Sequence, residues 1–547
     1  MAKTDDQIIW RNLSVGSPDA VTDELLENCF VDNGCLDVLR DTSSHASVVL
    51  GRTGQGKSAI LLRLKSTQSN TIEIRPIELA FRFVENSTVI KFFEGAGVNL
   101  NLFYRLLWRH VLITEVVKRK FNLRDRNGLT RWFESLVDRI DRDSARARAL
   151  SYLRAWGESF WEDTEVRLTE VTKKIESELS ASLEGSALLG KLKAGSTDKL
   201  SDQERLEVVS RGSSVVSNIQ IAELNRVMGT LANEAFDDPQ DGYYIAIDSL
   251  DEEWVSSITK YRLIRALIEE VRTFRSELRN VKVILALRQD LLEKVYEQTR
   301  DGGFQEEKYE VYYARLEWSK DDLLSMLRLR VNEVFKRKYT NSSVDIGDIF
   351  PKSRGSQSAY DYMIERTMLR PRDLIAFANE CFMAAANRPR ISWQSIFDAE
   401  HSYSRKRKNA LVDEWITTFP SVNFVLDLLR GMAETFSRSS ISEEAVEALV
   451  LNVSALDGSD EVIDLCRRMF EPKASVTNAQ VLSCALQILY HVGAIGVKFS
   501  SESPYIWSVN DQSNISFGEA KRVISIKVHK MLWKALEIRT AQIYRSV

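Results

Sequence analysis

The sequence predicts an α/β fold: a doubly wound parallel sheet built around a phosphate loop, extended by a large helical insertion, a helical lid and a C-terminal domain containing a winged helix. Three observations lead there. First, the apolar run Val48-Val49-Leu50 enters Gly51-Arg52-Thr53-Gly54-Gln55-Gly56-Lys57-Ser58, and helix-forming Ala59–Leu64 follows. A GxxxxGK[ST] loop is meaningful in that strand-to-helix setting. Second, Tyr243–Ile247 and Val281–Leu287 are apolar almost without a break, as strands covered on both faces are. Third, Thr259–Leu278 between them has helical character, and strands alternating with helices imply a parallel sheet.

Read in order, the opening segment to about Thr42 is expected to be mainly helical, centred on Asp23-Glu24-Leu25-Leu26-Glu27. Thr71–Phe83, with Ile72, Ile74, Ile77 and Leu79, predicts an extended, mostly alternating strand. From Leu100 the spacing of Phe103, Leu106, Leu107, His110, Val111 and Thr114 predicts an amphipathic helix. Asn122–Arg211 is charge-rich with helical periodicity, Glu165–Ser182 has the character of a coiled-coil-like arm without sustained heptads, and Gly190–Leu200 is a break. Tyr309–Leu316 is a further strand, and the chain is helical from Trp318 to about Asn387. Near the end, Ala479–Val492 predicts a helix, Ala494–Lys498 a strand, Ser500–Pro504 a turn and Tyr505–Val509 a return strand, together the wing. The expected domains are 1–121 (N-terminal helical segment and first half of the core), 122–235 (helical insertion), 236–318 (second half of the core), 319–410 (helical lid) and 411–547 (helical and winged-helix domain).

Composition narrows the possibilities. A chain of 547 residues exceeds one ordinary core and implies three or four domains. The formal net charge of −4 argues against a molecule that binds nucleic acid over its whole surface. A local patch at Arg405-Lys406-Arg407-Lys408 keeps DNA open as a partner, against the blander reading of a solvated charged face or linker. The five cysteines form no CxxC pair and the five histidines no HExxH cluster, so no zinc site is expected and the thiols read as reduced. Met1–Asp6 is polar and acidic, unlike a signal peptide, and no apolar run approaches the ~20 residues that span a bilayer. A cytoplasmic protein without membrane partners is the expectation.

The chemistry concentrates at three places. In the phosphate loop, the P-loop pattern, Gly51, Gly54 and Gly56 let the backbone turn so that successive N–H groups, including those of Thr53 and Gln55, face phosphate oxygens. Lys57 sets a positive charge against the β- and γ-phosphates, Ser58 offers a hydroxyl to Mg²⁺, and the helix N-terminus adds its dipole. The Tyr243–Ile247 strand runs into Asp248-Ser249-Leu250-Asp251-Glu252, where Asp248 is the metal-side acid and Asp251 or Glu252, not separable from sequence, orients or deprotonates the attacking water. These acids would otherwise simply open the next helix. Arg288 ends the run Leu285-Ala286-Leu287, and faces the γ-phosphate if its strand lies between the other two. Finally, Arg370-Pro371-Arg372-Asp373 opens a helix, from which Arg372, ahead of Arg370, reaches back to the nucleotide.

The order of phosphate loop, "IDSLDEEW", "ILALRQD", "LEWSKDDLLSMLRLR", "RPRDLIAFANE" and a winged helix resembles the bacterial AAA-like, STAND-related P-loop ATPases found among defence and regulatory genes. The resemblance implies ATP and Mg²⁺ as cofactors, sensor roles for Arg288 and Arg372, an extra strand beside the phosphate-loop strand, and nucleotide-controlled self-assembly. Ser249 departs from it, standing where many relatives carry a catalytic Glu. The expected function is an ATP-hydrolysing, self-associating switch, with ATP between core and lid, acting in antiphage defence through a separate effector protein. The rivals are a DNA-acting loader or remodeller, a non-hydrolysing ATP-binding scaffold and, more distantly, a small-molecule kinase.

Overall fold

A computed structural model describes residues 9–79, 81–120, 164–193, 195, 200–218, 229, 236, 238, 240–255, 257–300, 306–338, 344–472, 475–511 and 514–540. Most of the expected insertion 122–235 and residues 196–199 of the expected break lie outside them. The chain divides into a sheet unit, Asp32–Arg52 with Gly56–Glu317, and a C-terminal unit, Trp318–Val547 with Met1–Val31 and Thr53–Gln55.

The sheet unit is an α/β fold around a five-stranded parallel sheet. Its strands are β1 (Val48–Gly51), β2 (Thr71–Ile74), β3 (Tyr243–Ile247), β4 (Val281–Arg288) and β5 (Tyr313–Arg315), in the order β2-β3-β4-β1-β5. Its helices include α1 (Cys35–Arg40), α2 (Lys57–Thr67), α3 (Asn101–Lys120), α4 (Thr164–Ser182), α5 (Ser257–Glu277) and α6 (Gln289–Thr299). Every residue of β1 and β3, and all of β4 but Arg288, is buried. This is why these strands read as unbroken apolar runs. β4 lies between β1 and β3, the condition set for Arg288, and β5 pairs with the outer side of β1.

Three local expectations fail for physical reasons. The strand expected over Thr71–Phe83 ends at Ile74, because Pro76 has no N–H for a ladder and opens a 3₁₀ turn over Pro76–Glu78. The expected Tyr309–Leu316 strand keeps only Tyr313–Arg315, the residues before it forming a 3₁₀ helix, Glu306–Tyr312. The segment Glu165–Ser182 is a helix but no free arm: Thr172, Ile175 and Leu179 of α4 are buried in the core of the sheet unit.

The C-terminal unit is mainly helical. Its long helices are α7 (Lys320–Lys338), α8 (Pro371–Ala384), α9 (Trp393–Trp415) and α10 (Asn478–His491). A three-stranded antiparallel sheet of β6 (Thr435–Ser437), β7 (Ile495–Lys498) and β8 (Ser525–Val528) takes the order β6-β8-β7. The expected return strand Tyr505–Val509 is therefore corrected. Only Ile506 bridges to Val497, Ser508–Asp511 is helical, and the strand that returns is β8. The opening segment as far as Val31 packs here too. Of the helical stretch expected to about Thr42, only a 3₁₀ turn at Ala20–Thr22 and α1 in the sheet unit are helical. Asp23 turns its carboxylate onto the Ser17 and Leu25 amides and onto Arg330, so the centre expected at Asp23–Glu27 forms turns. The five cysteines are free and buried, and no described helix is long and apolar enough to cross a membrane.

Candidate nucleotide-binding site

β1 ends at Gly51 and α2 begins at Lys57, so the phosphate loop occupies the strand-to-helix turn its motif demands. Gly54 and Gly56 have φ of 82° and 97°, left-handed conformations that turn the backbone so as to aim amides inward. The Lys57 ammonium donates to the carbonyls of Gly51 (3.0 Å) and Arg52 (3.2 Å), so the loop itself holds it at the mouth of the turn. Part of the side chain is accessible, yet the surrounding chain desolvates the charge and pushes its pKa down to about 8; the pull of Asp251, Asp290 and Asp248 opposes that shift, and Arg288 adds to it. Ser58 is partly buried in the first turn of α2.

The acidic side is built on β3. Asp248 follows Ile247, and its Oδ1 accepts from the Ser249 amide at 2.8 Å. Ser249 has φ 59°, a left-handed conformation rare for a residue with a Cβ. Beyond it the turn is pinned from inside: Leu250 and Trp254 are buried, and the Trp254 indole donates to Leu250 O at 3.2 Å. Asp251 and Glu252 stand between these anchors and are treated differently. Asp251 Oδ2 lies 3.7 Å from Arg288 Nη1 and is foremost among the charges acting on Lys57. Glu252 follows it in the turn and is only a minor charge on the exposed Arg75, behind Glu73 and Glu78.

Arg288 is the register partner of Gly51, so the guanidinium-bearing end of β4 lies directly beside the start of the phosphate loop. Asp290 holds it with Nε–Oδ1 and Nη2–Oδ2 hydrogen bonds of 3.0 and 2.7 Å. Sequence reasoning missed Asp290, although its place two residues after Arg288 at a strand-to-helix turn was a usable signal.

Within the C-terminal unit, the loop tip Thr53–Gln55 meets the start of α8. The Arg372 amide donates to Gly54 O at 3.3 Å and its Nε to Pro18 O at 3.3 Å. A Cβ on Gly54 would stand 2.9 Å from the Arg372 Cβ. The Trp318 indole donates to Gln55 O at 2.8 Å, a contact no sequence signal announced. Arg370 is a different residue altogether, buried and paired with Glu414 at 3.0 Å. The basic run Arg405–Lys408 lies on α9 and is largely spent within the unit: Lys406 pairs with Glu380 (2.5 Å), Arg407 with Asp373 (2.9 Å) and Lys408 with Asp427 (3.2 Å).

The residues present fit a nucleoside triphosphate and a divalent cation. The Thr53 hydroxyl is buried with no hydrogen-bond partner among the described residues, two loop glycines hold the backbone in left-handed turns, a lysine and a serine open α2, and an aspartate follows β3.

Comparison with known proteins adds three findings. Residues 321–412 match the family model described as the FunZ-associated C-terminal helical domain. The putative transposon gamma-delta 80.3 kDa protein of Escherichia coli (strain K12) is 20% identical over 522 residues, covering 94% of this chain. The chain spans 65% of that relative's length. The structure of the Aeropyrum pernix ORC1 protein in complex with DNA is similar at 12% identity, over 95% of this chain and 96% of that one, with a TM-score of 0.34.

Proposed function

We propose that the chain is a P-loop ATPase acting as a nucleotide-driven switch. The observation that carries this is the register of the central sheet: Gly51 of the phosphate loop stands beside Arg288, while Asp248 ends the strand on the other side of β4. In this reading Gly51, Thr53, Gly54, Gln55 and Gly56 wrap the phosphates with their backbone, and Lys57 neutralises the β/γ charge. Ser58 and Asp248 would hold Mg²⁺, which would supply Lewis-acid charge to the phosphate oxygens. Asp251 orients the attacking water and takes its proton, with Glu252 as the second acid of the turn. Arg288 steadies charge developing on the γ-phosphoryl group. Arg372, hydrogen-bonded to the loop tip through its own amide, senses the nucleotide from the start of α8. Differential contact with the γ-phosphate then separates two states of the chain. Self-association, a separate effector and a defence role are the parts of this reading that the family resemblance supplies.

A DNA-acting ATPase is the second reading, favoured by the relative named as a putative transposon protein. The two features that first pointed to it are used internally. Arg405–Lys408 is largely ion-paired, and α10, the helix before the wing, is buried at every position from Val481 to Leu486, more than a full turn. A groove-reading helix needs an open face.

The deciding experiment measures ATP turnover by the wild type and by Lys57→Ala, with and without duplex DNA, while following mass. Turnover lost in the variant, with assembly that follows nucleotide state, supports the switch. Strong stimulation by DNA favours the second reading. ATP binding without any turnover rejects hydrolysis and leaves a scaffold.

A further inference from the structure

We infer that the sheet unit carries a second anion site, shaped for one nucleotide, at the end of the strands opposite the phosphate loop. A cavity of about 460 Å³ is lined by His45, Arg105, Arg272, Arg275, Tyr309 and Tyr312, a volume within the usual range for small-ligand sites. Strand direction fixes its place. The phosphate loop leaves the C-terminal end of β1, whereas His45 precedes β1 and Tyr312 precedes β5. Arg272 and Arg275 lie near the C-terminal end of α5, the helix that feeds the start of β4.

The charges are arranged to receive an anion. Arg275 donates to the backbone carbonyls of Ser44 (3.1 Å, from Nε) and Ser43, which fix the guanidinium without neutralising it. Arg272 stands with Tyr309 in the same lining. Among the described residues neither arginine forms an ion pair with a carboxylate. Arg105 is shared between Glu270 (3.3 Å) and the Thr273 hydroxyl (2.9 Å). Glu269, the acid in the lining, is already held by Arg265 at 3.0 Å and by the Asn101 amide at 2.6 Å. The cavity therefore keeps an excess of guanidinium.

Beside it runs a ledge of rings, with Tyr312 6.0 Å from His45 edge-on and 6.4 Å from Tyr309. Guanidinium forks suit a phosphate and the ring ledge suits a base, so the pair recognises a nucleotide unit. That unit is either a free mononucleotide or one nucleotide of a single strand.

The test uses the full chain carrying Lys57→Ala, so that binding at the phosphate loop does not enter. Fluorescent AMP and a short labelled oligothymidylate are titrated at two salt concentrations, then repeated after adding Arg272→Ala or Tyr312→Ala, both partly or wholly exposed positions, with thermal melting as the folding control. The expected result is binding that survives Lys57→Ala, weakens about tenfold with Arg272→Ala and loses part of its salt dependence, and weakens with Tyr312→Ala. Oligothymidylate that AMP fails to displace identifies a strand; full displacement identifies the free nucleotide. Absence of binding for both probes, or binding indifferent to Arg272→Ala, overturns the site.

Discussion

Arg288 and Asp290 clasp each other through two hydrogen bonds, 3.0 and 2.7 Å, at the point where β4 turns into α6, and Asp251 approaches the same guanidinium at 3.7 Å. A bidentate carboxylate fixes the plane of an arginine as well as its position. The arginine that stands beside Gly51 is thus oriented before any phosphate arrives. Replacing Arg288 with Ala is expected to lower ATP turnover by about 100-fold, the scale of losing one preorganised donor to a transition state. Affinity for a non-hydrolysable analogue should change far less. An equal loss in binding and turnover would make Arg288 a ground-state contact.

The two acids after Ser249 are expected to separate in steady-state kinetics. Asp251 approaches Arg288 at 3.7 Å and is foremost among the charges acting on Lys57. Asp251→Asn should therefore abolish most turnover, and Glu252→Gln should leave it within a few-fold of the wild type. The reverse ranking would return the water-positioning role to Glu252.

Gly54→Ala addresses the loop tip. A φ of 82° costs an L-residue about 1–2 kcal/mol, and the new methyl would meet Arg372 at 2.9 Å. Weaker ATP binding is the expected result in a titration, with a small drop in melting temperature. Unchanged affinity would show that the loop tip tolerates rearrangement.

Lys282 predicts a pH dependence of stability. Its ammonium is buried in β4 and donates to the carbonyls of Val38 (2.8 Å) and Asp41 (2.7 Å) at the end of α1, while burial pushes its pKa down to about 8 from an ordinary 10.5. Between these values the unfolded chain holds a proton that the native chain has released, so stability should rise with pH across that window. Below pH 8 both states are charged and the full desolvation cost applies. Chemical denaturation of the wild type against Lys282→Met at pH 7 and pH 10 measures this. The variant should lose the dependence, so that its stability relative to the wild type is more favourable at pH 7 than at pH 10.

In the C-terminal unit Arg330 and Asp23 form a buried ion pair at 2.6 Å, with Arg330 also donating to Val15 O at 2.9 Å. Removing one partner strands the other charge, so Asp23→Ala or Arg330→Ala should each destabilise by about 3–5 kcal/mol. The double variant should cost less than the sum, which a thermodynamic cycle would show.

Much of this was legible in the residues. β3 and β4 announced themselves because burial on both faces leaves an unbroken apolar run, and the phosphate loop because its spacing is a backbone requirement. What stayed hidden was non-local or conformational. Asp23 reads as a helix former until Arg330, far along the chain, claims its carboxylate. Tyr505–Val509 reads as a strand because it follows a turn, yet only Ile506 pairs with the outer edge of β7 before Ser508 starts a helix, while β8 holds the opposite edge. The roles of Asp251 and Glu252 hang on a left-handed Ser249, which no composition rule signals.

The strand order has a consequence for synthesis. β1 finds its sheet neighbours only in β4 and β5, Val48 pairing with Leu285 and Tyr313. A chain emerging from the ribosome exposes its phosphate loop early, but the strands that flank β1 follow only after Val281 has been made. Such distant pairings are slow to form and leave apolar segments open to mispairing meanwhile. Nascent chains halted before β4 should therefore depend on chaperones and bind no nucleotide, so the protein becomes competent late, in one step, rather than by degrees.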